Sequence, residues 1–239
     1  VSSGGRTISD LGGNVTVTVP YELKDGEKAE DLTVWRLTNS GIMNELPCTY
    51  DPASKLLTFE AAHSGQYIAG ADSWSNPFTD VGENDWFYRD VKFANRNRLF
   101  VGTGFTTFSP ASPMARAMLW TVLGRLDGGE KLYGEGVYES AREWAMNAGI
   151  TDGTNPDGEI TREQVVTILW RYAGKPKADG DLSRFSDAES VSDYAREAMA
   201  WAVEKGIILG NDGALLPQGS ASRAQVAAIL QRYVEATMK

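Results

Sequence analysis

The sequence predicts an α+β protein of two domains: a small antiparallel β domain, then an all-α bundle of three helix-loop-helix repeats with quasi-threefold symmetry. Three observations carry this. Short alternating strands fill the first seventy residues. An apolar period near 3.6 residues runs from there to Lys239. One ordered pattern of residues recurs within the helical part.

In the β domain, Asn14–Pro20, Leu32–Leu37 and Lys55–Phe59 alternate apolar and polar residues and are rich in β-branched side chains. Lys24-Asp25-Gly26, Asn39-Ser40-Gly41 and Asp51-Pro52 separate them as turns. This predicts a small sandwich or half-barrel, with Pro20 at a strand end or on an edge strand. Cys48, beside Pro47, is expected to be a small core residue. Asp72–Pro77 is the linker. Helices are expected over Arg116–Leu126, Arg162–Tyr172, Ala195–Glu204 and Arg223–Tyr233.

Phe78-Thr79-Asp80-Val81 recurs as Phe185-Ser186-Asp187-Ala188. Each Phe lies 38 residues before an arginine, Arg116 and Arg223, that opens a helix. Between them come an aromatic (Trp86 or Tyr194), a helix, a glycine (Gly102 or Gly210) and an apolar residue two before a proline (Phe108 or Leu215). A shorter middle copy has Tyr138, Trp144, Ile150, Gly153 and Arg162 but lacks the Phe-x-Asp opening. One helix pair cannot bury two apolar stripes, so the copies must pack on one another. The expected division is 1–72 for the β domain and 73–130, 131–177 and 178–239 for the repeats.

Thr161-Arg162-Glu163-Gln164 and Ser222-Arg223-Ala224-Gln225 fit the capping box, whereas Ala115 and Met118 lose both halves of it. The first helix start should be weaker by about 1 kcal/mol. An arginine at a helix start sits beside free N–H groups and the positive dipole end, so it can fork onto a carboxylate with help from backbone amides. A nearby glycine would admit a sugar, and exposed Trp86 could stack on a pyranose. Trp120, Trp144, Trp170 and Trp201 read as core, and Asp80 and Asp187 as turn or helix caps. Asp152–Glu159 fails the calcium-loop spacing and reads as a tight polar turn.

Composition narrows the chemistry. The 239 residues carry a net charge of −9, one cysteine and one histidine, His63. The acidic balance argues against a nucleic-acid partner, and no cysteine cluster or histidine triad can form. No apolar run is long enough to insert in a membrane. The start at Val1 suggests a piece of a longer chain, with a signal peptide upstream. No metal or cofactor is called for.

The order Phe-x-Asp-Val, aromatic, helix, Gly, Phe-x-Pro, Thr-Arg-Ala-Glu resembles the S-layer homology domain, here over Phe78–Leu126, Tyr133–Gly174 and Phe185–Val234. The resemblance implies a non-enzymatic pseudo-trimer with grooves between its lobes. It further implies non-covalent anchoring of a bacterial surface protein through a secondary cell-wall polysaccharide with pyruvylated sugars. The ligand-binding residues it implies are Arg116, Arg162 and Arg223, with Gly102, Gly153, Gly210, Thr161, Ser222 and Trp86. All three copies lack the motif's Glu, having Met118, Gln164 and Gln225, and the first lacks its hydroxyl, so the second and third sites rank above the first. A scaffold for wall-associated assembly, with any enzyme lying upstream, is the alternative.

Overall fold

The structure, a computed structural model, describes residues 2–3, 6–7, 10–128 and 132–238. The expected start at Val1 and the boundary between 130 and 131 lie outside them. Two compact units form: Val1–Ser75 with Met238–Lys239, and Asn76–Thr237. Among the described residues, small antiparallel sheets combine with six α-helices.

In the first unit, β1 (Ser2–Ser3) pairs with β2 (Arg6–Thr7). One three-stranded sheet has the order β3 (Asp10–Pro20), β7 (Leu56–His63), β6 (Cys48–Asp51). A second has β5 (Met43–Leu46), β4 (Leu32–Leu37), β8 (Gln66–Ala71). Pro20 ends β3, an edge strand, where its missing N–H breaks no ladder. The core is Leu32, Val34, Leu57, Phe59 and Ala61. Cys48 packs against that core half-buried, and its thiol is raised by burial.

The second unit holds α1 (Tyr88–Arg96), α2 (Arg116–Leu126), α3 (Val137–Asn147), α4 (Arg162–Tyr172), α5 (Arg196–Glu204) and α6 (Arg223–Thr237). They pack as α2 on α3, α4 on α5 and α6 on α1. The first helix of each copy therefore buries its apolar face against the second helix of the copy before it. In α2, Gly124 makes the close approach possible: a Cβ there would fall 2.1 Å from Leu132. Trp120 and Trp201 are fully buried, as expected for core. Trp144 and Trp170 are only half-buried, because each turns its indole N–H outward, to Asp127 and to the Pro176 carbonyl.

Short segments ahead of α2, α4 and α6 close a ring of backbone hydrogen bonds. Met114 N–H donates to Ala221, Ala221 to Ile160, and Ile160 back to Met114, at 3.0, 2.8 and 2.8 Å. All three residues are fully buried. The ring satisfies buried peptide groups that no sheet or helix serves.

Candidate functional site

Each of the three helix starts reaches into a loop of another copy. Arg116 Nε donates to the Thr154 carbonyl, Arg162 Nε to Leu215 and Arg223 Nε to Phe108, at 3.1, 2.8 and 2.7 Å. The same loop residue is held from its other side by an aspartate. Asp80 accepts from the Phe108 and Ser109 amides at 2.8 and 2.7 Å, and Asp187 from Leu215 and Leu216 at 2.7 and 2.8 Å. In the middle copy, which lacks Phe-x-Asp, Asp152 takes this place by accepting from the Thr154 amide at 3.0 Å.

The residue after each anchor has positive φ and precedes a proline: Ser109 at 57°, Asn155 at 50° and Leu216 at 52°. For Ser109 and Leu216 that conformation is strained, and the aspartate's bond to its amide holds it. Burial works to raise the Asp80 and Asp187 pKa values, but the backbone donors outweigh it and hold both carboxyls below the usual range.

The helix-start amides are already taken, contrary to the expectation that they assist an anion. Arg116, Arg162 and Arg223 N–H donate to Gly158, Gly219 and Ser112, each at 3.0 Å. The next amides, of Ala117, Glu163 and Ala224, donate to Pro156, Pro217 and Pro110. Neighbouring loops cap these helices, so the arginine side chains are what remains for a ligand.

Capping boxes form at Thr161/Gln164 and Ser222/Gln225, while Ala115 gives no side-chain cap. Thr161 and Ser222 thus spend their hydroxyls on capping, and neither lines a groove.

The arginines open onto three grooves of one design. Each takes a helix-start arginine, the loop of another copy, one face of that copy's second helix, and an aromatic from the remaining copy. The Arg223 groove, about 460 Å³, contains Gly102, Met118, Arg125 and Tyr138. The Arg162 groove, about 410 Å³, contains Trp86, Gly210, Gln225 and Arg232. The Arg116 groove, about 280 Å³, contains Asp152, Gln164, Arg171 and Tyr194.

Trp86, Arg162 and Gly210 therefore meet, as do Arg223 and Gly102. Gly153 does not line the Arg116 groove: it is buried against Met146, and a Cβ would fall 2.5 Å from that sulfur. Gly102 and Gly210 also serve the fold. A Cβ at Gly102 would lie 2.6 Å from the Gly104 carbonyl, and one at Gly210 2.6 Å from the Phe185 ring.

A second arginine in each groove, Arg125, Arg171 or Arg232, escaped the sequence reading. Its signal was present: each lies nine residues after a helix-start arginine, two and a half turns, which puts it on the opposite side of that helix, facing a different groove. The grooves differ in how occupied these cations are. Arg223 and Arg125 place four hydrogen bonds on the carbonyls of Phe108, Val101, Leu132 and Leu99. Their faces lie 4.7 Å from the Phe108 ring and 4.4 Å from the Tyr133 ring. Arg116 pairs with Asp152 at 3.6 Å and reaches Thr151, while Arg171 donates to Ile150.

A buried carboxylate, Glu163, joins the second and third copies. It accepts from Ser192 N–H and Oγ, Tyr194 Oη and Gln218 Nε2, at 3.1, 2.8, 3.0 and 3.3 Å. Burial and then Glu163 push the Tyr194 phenol up to about 12.

The S-layer homology domain model matches residues 77–117 and 184–227, leaving the middle copy between the two stretches. The amylopullulanase of Thermoanaerobacterium thermosulfurigenes is 28% identical over 252 residues, covering 96% of this chain and 13% of that protein. An endoglucanase of Bacillus sp. (strain KSM-635) is 29% identical over 64% of this chain and 18% of its own length. Exoglucanase XynX of Acetivibrio thermocellus is 29% identical over 66% of this chain and 16% of its own. The chain thus spans less than a fifth of the length of each of these relatives. An undecaheme cytochrome from the S-layer of Carboxydothermus ferrireducens shares 18% identity over 60% of this chain and 23% of its own, with a TM-score of 0.31.

Proposed function

We propose that this chain, two stretches of which match the S-layer homology domain, is a non-covalent anchor at the bacterial cell surface that holds an anionic, pyruvylated secondary cell-wall polysaccharide in its grooves. S-layer homology domains are non-catalytic and anchor surface proteins to the cell wall by binding its polysaccharides. The finer reading divides the helical unit into repeats at 73–130, 131–177 and 178–239, assembled as a pseudo-threefold bundle. The cyclic packing of α2 on α3, α4 on α5 and α6 on α1 supports it.

The observation that carries the reading is the recurrence, in three grooves, of a paired arginine and an aromatic around a solvent-open space. Paired guanidinia match a carboxylate, and an aromatic face matches a pyranose. On a chain of net charge −9, such cationic pairs give a local attraction that the overall charge hides. The chain itself performs no catalysis in this reading. The activities that the relatives are named for would belong to parts of those longer proteins outside the matched region.

Pelleting with purified sacculi tests it, before and after the polysaccharide is stripped. Binding to intact sacculi that is lost on stripping is expected. Equal pelleting with both would sink the proposal.

A further inference from the structure

The three grooves are alike in plan but not in charge. Arg162 spends one hydrogen bond, on the Leu215 carbonyl, and among the described residues Arg232 spends none. No carboxylate comes within ion-pair distance of either among those residues. Asp90 acts on Arg232, and Asp187 on Arg162, only through space. Burial, and after it the positive charge of Arg232, lower the Arg162 pKa. Two guanidinia that repel each other across a solvent-open groove are stabilised by an anion between them.

The other two grooves have met that need internally. Asp152 sits on Arg116. Backbone carbonyls and aromatic faces occupy Arg223 and Arg125. The aromatic wall differs as well. Trp86 is 64% exposed, its ring in T-shaped contact with Phe87, whereas Tyr194 is tied to Glu163 through its hydroxyl.

We infer that the groove between Arg162 and Arg232 is the principal anion site of this chain, and that Arg232 and Trp86 set its preference for a sugar bearing a carboxylate. The inference rests on the wall-anchor reading and sharpens it to one groove. The carboxylate lies between the two guanidinia and the ring stacks on Trp86. The order expected from capping motifs, with Arg162 and Arg223 as equals, is replaced by Arg162 alone at the top.

Calorimetric titration of the whole chain with the methyl glycoside of a pyruvylated amino sugar, and with its uncharged methyl ester, tests this. Arg232→Gln should weaken binding of the acid at least tenfold more than Arg125→Gln or Arg171→Gln does. It should flatten the salt dependence and change ester binding little. Arg232→Lys should restore part of the loss, and Trp86→Ala should weaken acid and ester alike. Since Arg232 carries no hydrogen bond or ion pair among the described residues, the thermal midpoint of Arg232→Gln should stay close to the parent's, which separates ligand binding from folding. A larger loss at Arg125 or Arg171, or equal losses at all three, overturns the groove assignment. Loss of discrimination between intact and stripped sacculi by the parent chain overturns the anchor reading instead.

Discussion

Removing the Asp187 carboxylate should loosen the loop that presents Leu215 to Arg162. The carboxylate accepts two backbone N–H bonds, at 2.7 and 2.8 Å. Hydrogen bonds to a charged group contribute about 1.5–3 kcal/mol each. Asp187 is half-buried, so water replaces part of that, and a loss of about 2–4 kcal/mol is expected for Asp187→Ala. The residue it steadies, Leu216, has φ of 52°, a conformation costing of order 1–3 kcal/mol that the chain would then relax. For a unit of this size the loss lowers Tm by about 5–15 °C. Asp187→Asn keeps the shape and one good acceptor and should lose about half as much.

Urea titration followed by circular dichroism measures both variants. The pH dependence gives a second reading. The Asp187 carboxyl is depressed in the folded state, so its stabilisation is present above the unfolded value, about 3.9, and fades as pH falls through the lower folded value. The gap between parent and Asp187→Ala should therefore narrow below about pH 4. A loss under about 0.5 kcal/mol at pH 7, or a gap that widens on acidification, would refute the reasoning.

Three other outcomes follow from the same framework. Installing the missing box by Ala115→Thr with Met118→Gln should stabilise by about 1 kcal/mol, while Thr161→Ala costs about the same, both read from chemical denaturation. Glu163→Ala leaves the Ser192 amide and the Tyr194 hydroxyl without their acceptor, while Gln218 keeps the Ser190 carbonyl; it should cost about 2–4 kcal/mol, with Glu163→Gln costing less. The Tyr194 phenol, at about 12 in the parent, should ionise at lower pH in Glu163→Ala, seen as one tyrosine shifting in an ultraviolet titration. Gly210→Ala places a Cβ 2.6 Å from Phe185 at φ of 80°, and thermal melting should show a loss of about 1–3 kcal/mol.

Much of the molecule was legible in the chain. Period-2 and period-3.6 patterns depend on which face is buried, so the strands at Leu32–Leu37 and the helices at Arg116, Arg162 and Arg223 could be read directly. The capping boxes were legible because their partners are three residues apart. The arginines nine residues further on could have been found by the same counting, but a charged residue on a helix ordinarily reads as a solvated face.

What the tertiary structure alone decided is the company each of those residues keeps. Asp152 stands in for a missing Phe-x-Asp aspartate through a local turn at Thr154, but its pairing with Arg116 is delivered by the fold. The helix-start amides are spent because loop carbonyls from another copy arrive there. Arg162 and Arg223 follow the same local motif and are equally buried, yet the first donates only to Leu215 while the second donates to both Phe108 and Val101. Sequence spacing determines which face a side chain leaves the helix on. Whether its charge is neutralised depends on groups from other loops, such as Asp152 on Arg116, and only the closed fold sets that.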